Sequence, residues 1–249
     1  MVHITAKSLC LDYPIVGMGS QSLKNRVLSA ATGGLISGGA GIPVVNALRS
    51  VDFEIAPGDR VGLIGHNGAG KSTLLKVLAG IYQPTAGHLM VKGRVVSTLN
   101  LAIGMEQEAT GYENIVIRGL LLGMKRKEIL KHLDEIAEFT ELGEYLDMPV
   151  RIYSSGMQTR LAFATVTAMH ADILLMDEVI GTGDASFIDK AEQRLKNFMS
   201  RSSILVLASH SDDTIRKFCN KALLLEHGLI IGSGAVEEML EYYHQKAVA

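Results

Sequence analysis

Arg60-Val61-Gly62-Leu63-Ile64-Gly65-His66-Asn67-Gly68-Ala69-Gly70-Lys71-Ser72-Thr73-Leu74-Leu75 is the stretch whose reading decides the fold. A short strand-like run leads into a Gly-rich turn, and a helix is expected to begin at Lys71. The spacing Gly65-x-x-x-x-Gly70-Lys71-Ser72 is that of a loop that cradles phosphate. Backbone N–H groups must close around phosphate oxygens, and Gly65, Gly68 and Gly70 permit the approach because they lack Cβ. The N–H groups opening the helix add partial positive charge beneath a β-phosphate. Lys71 then reaches the β/γ-phosphates and the Ser72 hydroxyl ligates Mg²⁺. His66, Asn67, Ala69 and Thr73 complete the nucleotide-binding assignment of the loop. A strand-to-helix turn that binds nothing is the plainer alternative; the strand before the loop and the helix after it argue against that.

Working outward, 249 residues suffice for a full core, as one domain or one domain with a subdomain. An apolar fraction of 47% against 20% charged excludes a disordered chain. A net charge of −2 argues against binding nucleic acid by bulk electrostatics. Cys10 and Cys219 are too few for a disulfide framework and suit a reducing compartment. Met1 to Asp12 has no basic segment followed by an apolar run, so no signal peptide is expected. Ile173–Met176 and Ile204–Ala208 are too short to span a bilayer, so any membrane role comes through a partner. A mean hydropathy of +0.22 hints at apolar surface meant for burial.

In chain order, His3 to Tyr13 reads as a strand, Gly17 to Gly41 as a Gly-rich insertion, and Asn46 to Ile55 as a second strand. The helix of the phosphate loop ends at Ala79-Gly80. Gly87 to Val96 holds one or two further strands. From Gly111 to about Thr140 the period becomes helical, with a break near Gly123, and another helix runs from Gly156 through Ala168. Leu99–Met169 is therefore expected to be a helical subdomain inserted in an α/β core formed by residues 1–98 and 170–249. Beyond it, Ile173–Asp177 is a buried strand, Phe187–Met199 an amphipathic helix, Ser203–Ala208 a strand and Asp212–Phe218 a helix. Ala222–Glu226 and Leu229–Ile231 form a hairpin around His227-Gly228, and Val236–Lys246 closes the chain.

Ile173-Leu174-Leu175-Met176-Asp177-Glu178 is the second chemical signal. An apolar strand ending in Asp emerges beside the phosphate loop, where Asp177 holds the Mg²⁺ shell and Glu178 polarises the attacking water. The third is Tyr153-Ser154-Ser155-Gly156-Met157-Gln158, opening a helix. Read alone, Ser154 is an ordinary N-cap.

Taken with the order of the other motifs, this segment resembles the Leu-Ser-Gly-Gly-Gln signature of ATP-binding-cassette (ABC) ATPases. Tyr153, Ser155 and Met157 depart from that pattern, while Ser154 and Gly156 keep it. The resemblance covers nearly the whole chain and implies a P-loop NTPase with a RecA-like α/β core, an antiparallel β subdomain and an inserted helical subdomain. It implies ATP hydrolysis at a composite site. Ser154, Ser155 and Gly156 would grip the γ-phosphate of ATP held by a second copy. Asp184 sits where the family places its inter-subunit aspartate, and His210, in Leu207-Ala208-Ser209-His210-Ser211, matches its switch histidine. Lys71, Glu178 and His210 are thus the catalytic set, and Ser72 and Asp177 the Mg²⁺ ligands. The family's coupling-loop glutamine has no clear match: Asn100, Leu101 and Gln107 stay open, and an amide at Asn100 would contact Mg²⁺ or the lytic water. Tyr13 is the choice for the aromatic that stacks on adenine, with a core tyrosine as the alternative. No histidine shows metal-ligand spacing.

Ala109-Thr110-Gly111-Tyr112-Glu113-Asn114, Thr140-Glu141-Leu142-Gly143, Gly183-Asp184-Ala185-Ser186-Phe187 and Ser22-Leu23-Lys24 narrow the resemblance to the polysaccharide-export branch, which serves O-antigen, capsule and teichoic acid exporters. That branch implies a homodimer of ATPase subunits beneath a polytopic membrane permease, peripheral to the cytoplasmic face of the cell membrane, with no direct contact to nucleic acid. With Ala249 as its last residue, the chain resembles the short form that lacks a carbohydrate-binding domain. A soluble cassette ATPase working on DNA or ribosomes would need a long coiled coil or a tandem cassette. A small-molecule kinase would not need Ser154, Asp184 and His210 in this order.

Overall fold

A computed structural model describes residues 1–14, 36–37, 44–99, 104–177 and 185–248. In chain order the elements are β1 (His3–Pro14), β2 (Ile36–Ser37), β3 (Val44–Ile55), β4 (Arg60–Ile64), α1 (Lys71–Leu78), β5 (Ala86–Lys92) and β6 (Val95–Ser97). There follow α2 (Gly111–Leu121), α3 (Arg126–Thr140), α4 (Ser155–Thr167), β7 (Ile173–Asp177) and α5 (Ala185–Arg201). The last are β8 (Ile204–Ala208), α6 (Asp212–Phe218), β9 (Lys221–Glu226), β10 (Leu229–Ala235) and α7 (Val236–Val248). Two 3₁₀ turns that periodicity does not reveal, Gly143–Asp147 and Val150–Ile152, lie between α3 and α4. The expected Gly17–Gly41 insertion, with Ser22-Leu23-Lys24, lies largely outside the described residues.

The chain forms two compact units. One comprises Met1–Gly93, Leu175–Val179 and Ser203–Ala249; the other comprises Arg94–Leu174 and Ile180–Ser202.

The first unit carries an antiparallel sheet of order β2-β3-β1-β5. Alternation decides its face. Ile4, Leu9 and Leu11 of β1 are buried opposite Ile55, Val51 and Leu48 of β3. A bulge at Ser8, with φ of 47°, is held by its N–H donating to Asp52 Oδ1 at 2.9 Å. The second sheet runs β10-β9-β4-β8, with Leu175–Asp177 of β7 beyond β8. β4 pairs in parallel with both β8 and β9, while β10 folds back antiparallel on β9. Val61–Ile64, Ile204–Ala208 and Ala222–Leu225 are buried throughout, as strands covered on both faces must be. The N-terminal ends are pinned by polar bonds: Asp59 pairs with Lys221 at 2.6 Å, and Asn220 bonds Arg60 N–H at 2.9 Å and Gly58 carbonyl at 3.0 Å. A Cβ at residue 62 would stand 3.4 Å from Cys219 Sγ, and burial pushes the Cys219 thiol up to about 12, so it stays protonated.

In the second unit α2, α3, α4 and α5 pack around Phe139, Phe163 and Phe187. Arg194 lies over the Phe139 ring at 4.2 Å and pairs with Glu135 at 2.9 Å; burial lowers its pKa while Glu135 raises it. Thr110 caps α2 in a box with Glu113. Asn114, fully buried, donates to the carbonyls of Glu106, Ala109 and Thr110 at 2.9, 3.1 and 2.9 Å, and accepts from Glu106 N–H at 2.8 Å. One amide thus folds the whole 106–110 turn onto the helix. Asn114→Ala strips Glu106 N–H and C=O of their protein partners, and a loss of about 2 kcal/mol is expected. A lower urea midpoint at unchanged slope would register it.

Candidate functional site

The phosphate loop leaves the C-terminal end of β4, the central strand of the second sheet, and enters α1. Gly70 is the N-cap residue and provides no side-chain bond, so the first N–H groups of α1 face outward unclaimed by a cap. Lys71 is buried, and its Nζ donates to the carbonyls of Gly65 at 2.5 Å and His66 at 3.0 Å. The ammonium is therefore held across the mouth of the loop by the loop itself.

Gly65 is required here for a reason beyond phosphate approach. Its φ is +145°, and a Cβ there would lie 2.2 Å from the Leu225 carbonyl oxygen of β9. The loop backbone touches the neighbouring strand, and no side chain fits between them. Further on, Ala69 N–H donates to His66 carbonyl at 3.1 Å, and Ala69 carbonyl accepts from Gly228 N–H of the β9–β10 turn at 2.9 Å.

A cavity of about 260 Å³ opens over this loop. Asn67, Gly68, Gly70, Lys71, Ser72 and Thr73 form its floor. Asp177 reaches it from the end of β7, and Ser209 and His210 from the end of β8. Tyr13, Val45 and Ala47 of the antiparallel sheet line it as well. Val45 and Ala47 had no distinguishing signal in the sequence, being two apolar positions among many. The Tyr82 ring meets Tyr13 edge-on, 5.2 Å between centroids and 78° between planes. Burial raises the Tyr13 phenol above its usual value, against the lowering effect of the Thr73 hydroxyl, so the ring stays neutral near pH 7. One end of the cavity is thus aromatic and apolar, the other rich in N–H groups and a buried cation. The Ser72 hydroxyl and the Asp177 carboxylate line the same cavity and make a hard oxygen donor pair suited to Mg²⁺.

The His66 side chain turns elsewhere: its ring packs on His227 and lines a separate cavity with Leu225, Glu226 and Lys246. Only its backbone belongs to the cradle.

In the second unit Ser154 is the N-cap of α4, its Oγ accepting from Met157 N–H at 3.2 Å. That bond uses an oxygen lone pair and leaves the hydroxyl proton to donate. Ser154 and Ser155 are exposed and Gly156 is partly so. Tyr153, which departs from the signature pattern, is buried and donates to Tyr145 carbonyl at 2.5 Å, fastening the signature to the preceding 3₁₀ turn. Gln107 is exposed, and its carbonyl accepts from Arg151 N–H at 2.9 Å. Asn100, Leu101, Glu178 and Asp184 lie outside the described residues. Among the described residues no three His, Cys, Asp or Glu side chains gather as a metal cluster, and no helix is long and apolar enough to cross a membrane.

Residues 48–181 match the family model described as ABC transporter. The chain is 48% identical over 231 residues to the O-antigen export system ATP-binding protein RfbE of Yersinia enterocolitica, covering 92% of this chain and 97% of that protein. It is 40% identical to the O-antigen export protein RfbB of Klebsiella pneumoniae, over 80% of this chain and 81% of that one. With the teichoic acids export ATP-binding protein TagH of Listeria monocytogenes it shares 37% identity over 80% of this chain and 59% of the relative. Among solved structures, an ATP-binding subunit of an ABC transporter superposes with a TM-score of 0.71 at 19% identity over 100% of both chains. The dimeric cassette MJ0796 bound to ADP and Pi gives 0.66 at 20% identity, covering 94% of this chain and 98% of that chain.

Gly65→Ala tests the contact between loop and strand. β9 would have to move to accept the methyl, at roughly 2–4 kcal/mol. The expected outcome is a Tm lower by roughly 5–10 °C, read by scanning calorimetry; an unshifted Tm would show that the loop relaxes away from Leu225.

Proposed function

The chain belongs to the ABC transporter family as an ATP-hydrolysing cassette, and from that premise we propose that it drives export of a lipid-linked polysaccharide through a partner permease. Similarity to O-antigen and teichoic acid export subunits along most of its length supports a substrate of that type. The observation that carries the catalytic reading is the single cavity that gathers Lys71, Ser72, Asp177 and His210 beneath Tyr13.

ATP lies with its base against Tyr13 and its phosphates on the loop. Lys71 exchanges its carbonyl partners for β- and γ-phosphate oxygens, and the N–H groups opening α1 neutralise the rest of the charge. Ser72 and Asp177 would hold Mg²⁺, which would supply positive charge to offset the negative charge of the phosphates. Glu178 orients and polarises the attacking water, and His210 contacts the γ-phosphate from the end of β8. A second copy supplies Ser154, Ser155 and Gly156, whose exposed hydroxyls and helix N-terminus suit a γ-phosphate, and Asp184 takes the inter-subunit role that the family resemblance assigns it.

Helices α2 to α4 of the second unit meet the permease, with Thr110–Arg118 receiving its cytoplasmic helix. A cavity lined by Tyr112, Val116, Ile117 and Leu133 supports that assignment. The subunit therefore works at the cytoplasmic face of the membrane, held there by the permease. Crosslinks from Thr110–Arg118 to cytosolic proteins alone, never to a membrane protein, would reject it.

Glu178→Gln separates binding from chemistry. Gln keeps the shape but accepts no proton, so hydrolysis should slow roughly 10²–10⁴-fold while ATP affinity persists. The variant should elute as a dimer with ATP and as a monomer without it. Parent-rate hydrolysis would mean that another group activates the water.

The base platform can be tested separately. Tyr13→Phe should keep ATP affinity within about threefold, and Tyr13→Ala should lose about tenfold, in line with roughly 1–3 kcal/mol per stacked base. Equal affinities in titration calorimetry would move the base elsewhere.

A further inference from the structure

The turn between β9 and β10 holds the phosphate loop from behind, through contacts that involve no nucleotide. Gly228 donates from its N–H to Ala69 carbonyl at 2.9 Å, and its carbonyl accepts from Arg49 N–H at 2.8 Å. The turn thereby ties the loop to β3, the strand that brings Val45 and Ala47 to the cavity. Only glycine suits residue 228, where φ is +77° and a Cβ would stand 2.8 Å from Ala47 carbonyl.

Beside it, His227 takes a left-handed φ of 46°, which delivers its ring onto that of His66, 4.8 Å between centroids and tilted by 57°. His66 Nδ1 lies 2.7 Å from Asn67 carbonyl. A carbonyl can only accept, so Nδ1 carries the proton, and in the neutral tautomer with that proton the lone pair lies on Nε2. His66 Nε2 is buried and meets no partner, and the same is true of His227 Nδ1 in the adjacent ring. A buried acceptor and a nitrogen able to donate thus sit in touching rings. Leaving both unmet is unfavourable, and a bond between them would satisfy both. The charge nearby is Glu226, which is bonded by Lys246 of α7 and also acts electrostatically on both rings. The backbone of His66 sits at the crossing of the loop's own bonds, accepting from Lys71 Nζ at 3.0 Å and Ala69 N–H at 3.1 Å.

We propose that His227 is a positioning residue for the phosphate loop. Its Nδ1–H donates to His66 Nε2, which clamps the His66 ring on the Asn67 carbonyl and keeps the N–H groups of residues 67–70 turned toward the phosphates. Lys71 then needs only to change partners when nucleotide arrives, because the loop around it is already shaped. The inference rests on the nucleotide-binding reading of the cavity.

The test compares His227→Gly, His227→Asn and Lys71→Ala in the full chain. Glycine and asparagine both accept the left-handed backbone, so neither strains the turn. Asparagine restores an N–H donor near the place of Nδ1, and glycine does not. Equilibrium binding of a fluorescent ATP analogue with Mg²⁺ should weaken about tenfold in His227→Gly and less than threefold in His227→Asn. KM for ATP should follow the same order, with kcat within twofold of the parent in both. Parent-like binding in His227→Gly, or equal weakening in both variants, overturns the proposal. Lys71→Ala separates the two levels: if it still binds the analogue, the reading of the cavity fails; if it does not, the outcome at residue 227 judges the clamp alone.

Discussion

The Leu225 carbonyl presses against the phosphate loop at the one point where residue 65 has no Cβ, and Gly228 N–H bonds the same loop at Ala69 carbonyl. This close backing determines much of the first unit. It requires β9 to lie directly beside β4 and in parallel with it, as it does from Val61↔Lys221 to Ile64↔Leu224. β8 takes the other side of β4, also in parallel, so the C-terminal ends of neighbouring strands open on one rim. Asp177, Ser209 and His210 reach the cavity because their strands end on that rim. The polar bonds at the opposite end, from Asp59 and Asn220, keep those strands from slipping; a one-residue slip would turn every side chain to the wrong face.

The second unit solves a different problem, presenting a helix N-terminus with its hydroxyls uncovered. Ser154 both caps α4 and faces solvent. Exposure at that end is balanced by firm anchoring behind it: Leu161–Thr167 are buried, and Thr165 and Thr167 return their hydroxyls to the helix carbonyls of Leu161 and Phe163. Arg160 lies over Phe187 at 4.5 Å, so α4 is also held to the start of α5 through a cation on an aromatic face. Tyr153 and Asn114 do comparable work in the turns. Each is a buried polar side chain that closes backbone groups which the irregular chain would otherwise leave unmet.

Local pattern alone was enough for most of the fold. The strand–loop–helix at 60–78 was legible because a phosphate cradle needs glycine, lysine and a hydroxyl at fixed offsets, and few other tasks impose that spacing. β7 and β8 announced themselves as continuous apolar runs, α2 and α3 by a period change with a break at Gly123, and the hairpin by His227-Gly228. The family likewise followed from the order of short motifs along the chain, since each motif is a local chemical requirement.

Contacts between distant segments were beyond such reading. Gly65 reads as a phosphate glycine, and only the fold shows that Leu225 occupies the space a side chain would need. His66 reads as one more residue of the cradle, yet its ring faces away, onto His227. Val45 and Ala47 reach the cavity through the pairing of β3 with β1, and Tyr82 meets Tyr13 across 69 positions of sequence. Spacing and periodicity report what a segment does with its own backbone and its own face. Which side chain fills the space left by another is set by register and packing, and those exist only once the sheets have formed.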